Sequence, residues 1–186
     1  EGGQVIAPAR PPGFDDPLGF LSAVHVRLQQ RCALLARFAD HVRRHGPEPS
    51  VRPTALYVMR TFDDECPLHH ADEEEGLFPL LRAAVPHVRS AELESALAQL
   101  VPQHAELRQL YAAIRPQLET LADGRLGPLD RALVDRLHTV CLQHEETEDV
   151  VLLPLAREVL AARALEQLGR AMAARREAPY PRAPED

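Results

Sequence analysis

Residues 66–79 and 141–154 spell one pattern twice, and this repeat constrains the chain more than any other feature. CPLHHADEEEGLFP and CLQHEETEDVVLLP align without a gap. Cys66 matches Cys141, His69 matches His144, and Glu73 matches Glu148. Leu77, Pro79 and Leu80 then match Leu152, Pro154 and Leu155. A His and a Glu four residues apart share one face of a helix. Two such helices facing each other bring together two imidazoles and two carboxylates. By its chemistry that is a metal site, and by its symmetry a two-metal site.

The periodicity around the repeat predicts helices throughout. The first helix reads Leu18, Leu21, His25, Leu28, Cys32, Leu35, Ala39, Val42; the second reads Met59, Phe62, Cys66, His69, Glu73, Leu77, Leu80. The third reads Leu93, Leu97, Leu100, His104, Leu107, Tyr111, Ile114, Leu118, Leu121; the fourth reads Val134, Leu137, Cys141, His144, Glu148, Val151, Leu155. Steps of three and four are the seam of an antiparallel bundle. Aromatics make up 4% of the chain and Trp is absent, with Leu and Ala dominant, which favours helix over strand. The expected fold is all-α: an up-down-up-down antiparallel four-helix bundle with a short extra C-terminal helix.

The punctuation gives the boundaries. Residues 1–14 read as an irregular Pro- and Gly-rich arm, 15–176 as one bundle domain, and 177–186 as a flexible tail. Asp16-Pro17 reads as a cap followed by Pro at the first helical position. The helices are expected over about 17–44, 53–84, 90–122 (capped by Ser90), 128–162 and 164–176. Pro67, Pro102 and Pro116 fall inside these spans, where each removes a backbone donor and is expected to kink its helix.

Composition narrows the partners. A formal charge of −7 argues against a sequence-independent grip on nucleic acid. No apolar run nears the roughly 20 residues that span a bilayer. The start, EGGQVIAPARPPG, lacks the basic and apolar regions of a signal peptide. Three cysteines without framework spacing fit a reducing, cytoplasmic setting.

One histidine on an apolar stripe is ordinarily a core residue with a hydrogen-bond partner. An i, i+4 His/Glu pair is ordinarily a solvated helix face. Four seam histidines, one on each helix, change that balance. Burying ionised Glu73 and Glu148 costs several kcal/mol each unless they are paired or bound to metal. The seam carries no Lys or Arg to neutralise them, and a pair of divalent ions removes these costs together.

On these residues the chain resembles the hemerythrin-like (HHE cation-binding) family over roughly residues 15–160. The carriers are His25, His69 and Glu73 followed by LFP, His104, and His144 and Glu148 followed by LLP. FDDPLGFLSAVHVRL and QLGRAMAARR are similar to a bacterial single-domain branch. The resemblance implies a centre of two non-haem iron ions. Glu73 and Glu148 would bridge the ions, and His25, His69, His104 and His144 would complete the coordination. It implies that O2 or a related small oxidant is bound or sensed. The other readings are a di-iron enzyme acting on peroxide or nitric oxide, and a zinc or structural metal module using Cys66 and Cys141.

The chain departs from the oxygen-carrying members at two points. They have a further His one turn before the third-helix ligand, where this sequence has Leu100. They also use H-x-x-x-x-D on the last helix; Asp149 has that spacing, but the internal repeat selects Glu148. His70, Glu145, Tyr57, Tyr111 or water are the alternatives for the missing donor. His70 and Glu74 repeat the H-x-x-x-E spacing one register later, although alignment through Pro79 and Pro154 selects His69 and Glu73. His41, His45, His87 and His138 are expected at the surface or at helix ends. Cys66 and Cys141 are expected as small buried apolar residues.

Overall fold

The computed structural model describes residues 11–46, 48 and 50–181. Among them there is no strand, and five helices form a bundle. α1 spans Pro17–His45. Its cap is the expected one, with the Asp16 carboxylate accepting from the Gly19 N–H at 3.0 Å and Pro17 opening the first turn. It ends at Gly46, whose φ of +76° is the left-handed conformation that glycine adopts without a steric penalty.

α2 is one rod over residues 51–84. Its α-helical segments Val51–Arg60, Cys66–Ala71 and Phe78–Ala84 are joined by π turns at Thr61–Glu65 and Asp72–Leu77. After a 3-10 turn at His87–Arg89, α3 runs Ser90–Ala122. α4 covers 131–159 as Arg131–Thr147, a π turn Glu148–Leu152 and Leu153–Val159, and α5 spans Ala162–Arg175.

The π turns have a local cause. Each closes on the residue just before a proline: Cys66 N–H donates to Thr61 O, Phe78 N–H to Glu73 O, and Leu153 N–H to Glu148 O. Pro67, Pro79 and Pro154 follow directly. In an α-helix the proline ring runs into the carbonyl four residues back and offers it no donor. One extra residue in the turn moves that carbonyl aside and lets the preceding N–H reach five residues back. Pro102 and Pro116 lie inside α3 with no change of helix type. Proline thus breaks the helical ladder where the repeat stands.

Several expected boundaries shift. α3 begins at Ser90 itself, so the cap position falls on Arg89 rather than on the expected Ser90, and the Arg89 side chain makes no capping bond. α4 starts at Arg131 rather than near Pro128, because the Asp130 carboxylate caps the Ala132 and Leu133 N–H groups. It stops at Val159, since Leu160 and Ala161 are extended before α5 begins. The expected arm and tail fall partly outside the described residues. Of the arm, residues 11–14 are described; they are irregular and Phe14 is buried. α5 comes so close to this segment that a Cβ on Gly169 would stand 1.9 Å from the Phe14 carbonyl oxygen, which requires glycine there.

The core divides into two apolar clusters. One is built around Leu18, Leu21, Leu77, Phe78, Leu97, Leu100 and Leu152; the other around Leu28, Leu35, Val58, Phe62, Leu107, Ile114 and Leu137. α1 passes from the first to the second, α2 returns, α3 passes again and α4 returns. Each helix changes cluster at its seam histidine: between Leu21 and Leu28, Phe62 and Leu77, Leu100 and Leu107, and Leu137 and Leu152. α5 seals the end of the first cluster with Leu168 and Met172. It also fixes α2, because Arg175 and Arg176 pair with the fully buried Asp72 at 3.0 and 2.6 Å. No described helix is long and apolar enough to cross a membrane.

Candidate metal centre

Between the two clusters lies a polar layer made of the six residues singled out by the repeat and the seam. His25, His69, Glu73, His104, His144 and Glu148 are each at most 2% exposed. Glu73 lies within one π turn and Glu148 opens another, so the proline after each copy of the repeat shapes the backbone that carries the carboxylate. Their side chains converge. His25 Nε2 is 3.1 Å from Glu148 Oε2 and 3.7 Å from Glu73 Oε1. His69 Nε2 is 3.2 Å from Glu73 Oε1. Across the layer, His104 Nε2 is 3.2 Å from Glu73 Oε2 and His144 Nε2 is 3.3 Å from Glu148 Oε2. The two Nε2 atoms of His104 and His144 face each other at 3.0 Å.

These donors form two interlocked groups whose ligand atoms lie within 4.8 Å of one another. The first position is His25, His69, Glu73 and Glu148; the second is Glu73, His104, His144 and Glu148. The carboxylates belong to both. His25 Nε2, His69 Nε2, Glu73 Oε2 and both oxygens of Glu148 are buried yet make no hydrogen bond of acceptable geometry. Unpaired buried acceptors on this scale are costly in a folded protein. An imidazole and carboxylate set directed at common points suits a first-row divalent cation and offers each carboxylate to two ions.

The outward face of the layer holds residues that motif reasoning missed. His25 donates through Nδ1 to Asp149 at 2.8 Å, and His104 donates through Nδ1 to Glu74 at 2.6 Å. Since a carboxylate only accepts, Nδ1 carries a proton, and Nε2 is the nitrogen left facing the layer, where it offers a lone pair once the ring is neutral. Each copy of the repeat therefore supplies a carboxylate to the centre and, from the next residue, a second one that orients an imidazole on a neighbouring helix. The signal was present as Glu73-Glu74 and Glu148-Asp149. Only the cross-helix geometry separates the orienting carboxylates from rival ligands. His144 Nδ1 meets Gln103 Oε1 at 3.3 Å, and His69 Nδ1 has no partner.

The electrostatics follow from crowding charge in a dry layer. Burial opposes a charge on His25, but Asp149, Glu148 and Glu73 outweigh it and push its pKa up to about 12. Burial likewise opposes a charge on His104, and Glu73, Glu148 and Glu74 raise its pKa. Burial and the neighbouring imidazoles hold His69 well below the usual histidine value. Burial lowers His144 to about 4. Burial and the repulsion of Glu148 push Glu73 up to about 7. At Glu148 the imidazoles of His144 and His25 overcome the burial that works the other way, so its pKa falls.

Among the remaining candidates, Glu145 belongs to neither group. It is buried, with Oε1 accepting from the Cys141 thiol at 3.1 Å, and burial raises its pKa to about 7. The Tyr111 hydroxyl donates to Asp63 at 2.8 Å, and Tyr57 is largely exposed beneath the Arg31 guanidinium. His41, His45 and His87 are exposed, as expected, whereas His138 is half-buried in the interior of α4. Neither Cys66 nor Cys141 joins a donor group. Both line, with Leu28, Phe62, Leu107 and His144, an apolar cavity of about 50 Å³ beside the layer.

The hemerythrin HHE cation binding domain model matches residues 16–156. The chain belongs to that family. An uncharacterized protein of Haemophilus influenzae is 28% identical over 174 residues, covering 94% of this chain and 98% of that protein. This HHE protein thus combines membership of a cation-binding family with His/Glu groups that could hold metal ions. The match to the relative takes in more of the chain than the family domain does.

Proposed function

We propose that the protein is a non-haem di-iron protein whose centre is held by His25, His69, Glu73, His104, His144 and Glu148. Glu73 and Glu148 would bridge the two ions. The observation that carries this reading is the sharing of both carboxylates by two donor groups whose buried atoms lack partners. The return of each successive helix to the cluster its predecessor left supports an up-down-up-down antiparallel bundle. When bound, the iron pair would supply redox chemistry and a coordination site for O2 or a related small oxidant.

The chain's own residues do the rest. The shared carboxylates offset the charge of two close cations, Asp149 and Glu74 orient the histidines of the neighbouring helices, and the apolar clusters exclude water. The cavity suits a small ligand: its volume of about 50 Å³ accommodates a few water-sized molecules. Three free cysteines fit a cytoplasmic setting.

The enzymatic alternative, turnover of peroxide or nitric oxide, draws on one feature. Glu145 lines the cavity with a carboxyl of pKa about 7, suited to giving up a proton there. The zinc-module reading gains nothing from the thiols, which stand outside both donor groups. Purified protein is expected to contain close to two irons per chain and to develop near-ultraviolet absorption of a bridged ferric pair on exposure to air. Tightly bound zinc without iron refutes the reading. Catalytic loss of peroxide or nitric oxide with the reduced protein would move it to the enzymatic class.

A further inference from the structure

We propose that His70 is a fifth imidazole of the centre and coordinates the ion at the second position, beside His104 and His144. The inference rests on the two-position reading above and goes beyond its six ligands. His70 is 4% exposed, and its Nδ1 has no hydrogen-bond partner. Its Nε2 has only the Cys66 sulfur, at 3.6 Å, a weak partner. A buried imidazole with one nitrogen unpaired and the other so poorly served is an unusual cost for a core.

The geometry supplies the reason. His70 offers a nitrogen that lies with those of His104 and His144 inside one 4.8 Å group. Its ring stacks on His104 with centroids 3.9 Å apart and meets the His144 ring edge-on at 5.9 Å. The other candidates are already engaged or misplaced. Leu100 offers no donor, Glu145 lies outside the groups, and the Tyr111 hydroxyl is committed to Asp63.

His69 and His70 are adjacent on one helix, about 100° apart around its axis. Neighbours so placed can serve two different ions, and His69 belongs to the first position. With His70 the second position holds three imidazoles and two carboxylates, while the first holds two imidazoles and two carboxylates. The centre is then unequal, with the greater vacancy at the His25/His69 ion. Since His70 also lines the cavity, it forms the wall between that space and the second ion.

The test is an anaerobic ferrous iron titration of the full chain, wild type against His70→Ala and His70→Phe. The phenylalanine keeps the stacked ring and the cavity wall while removing both nitrogens. Wild type is expected to take two ions. Both variants should keep the first and bind the second about tenfold or more weakly, and millimolar imidazole should restore the second ion in His70→Ala. A second ion held by His70→Phe as tightly as by wild type overturns the assignment. So does weakening in His70→Ala that imidazole leaves unrestored. A wild-type chain that takes one ion fails the two-position reading instead, and this inference with it.

Discussion

The two copies of the repeat differ in only a few of the positions that matter, and those few set the character of each half of the centre. Shared positions build what is symmetric. His69 and His144 each face the carboxylate one turn on, and Pro79 and Pro154 each impose a π turn on that carboxylate's segment. The residue after the shared Glu differs only in length: Glu74 reaches His104 and Asp149 reaches His25. The residue after the motif His differs in kind. In the first copy His70 is buried with Nδ1 unpaired and groups with His104 and His144; in the second Glu145 turns to the Cys141 thiol and the cavity. The two copies thus agree at the candidate ligands and differ at the adjoining positions.

Three experiments can break or sharpen this comparison. The largest effect is expected from the shared positions. Glu73→Ala and Glu148→Ala should each remove at least one of the two irons, read by metal analysis of purified protein. Unchanged content in either variant would remove that carboxylate from the centre. Glu74→Ala and Asp149→Ala should weaken binding by about 10- to 100-fold, as loss of an orienting partner does. Each should act on a different ion: Asp149→Ala on the His25 position and Glu74→Ala on the His104 position. Equal weakening of both ions would show that the two carboxylates do not act through separate rings.

The smallest effect is that of pH. With its pKa raised to about 12, His25 in the metal-free protein is protonated at neutral pH, and Glu73 at about 7 is partly so. A metal ion requires both deprotonated. Binding should therefore release protons and tighten as pH rises, by about tenfold per unit for each proton displaced. The dependence should steepen below pH 7, where Glu73 also carries its proton. Calorimetry in buffers of different ionisation enthalpy counts the protons, and release of none would contradict the charge assignment.

The helices and the six central residues were legible because both are written in spacing. Leu and Ala at three- and four-residue steps define the rods, and a histidine on the same stripe must enter the same core. Boundaries moved where capping chemistry outranked periodicity, as at Asp130 and Leu160. The π turns escaped because Pro79 and Pro154 served only as alignment marks, although proline's missing N–H is their cause. Glu74, Asp149 and His70 remained ambiguous for a different reason. Each has a register in which it could be a ligand, and the choice depends on distances between helices that no single helix encodes.

The central claim is that Glu73 and Glu148 hold two ions in common, and X-ray absorption of the iron-loaded protein tests it most directly. The account predicts nitrogen and oxygen neighbours only, with a second iron at about 3.5–4 Å or somewhat closer, as carboxylate-bridged pairs require. Iron with no iron neighbour, or a first coordination sphere containing sulfur from Cys66 or Cys141, would contradict it.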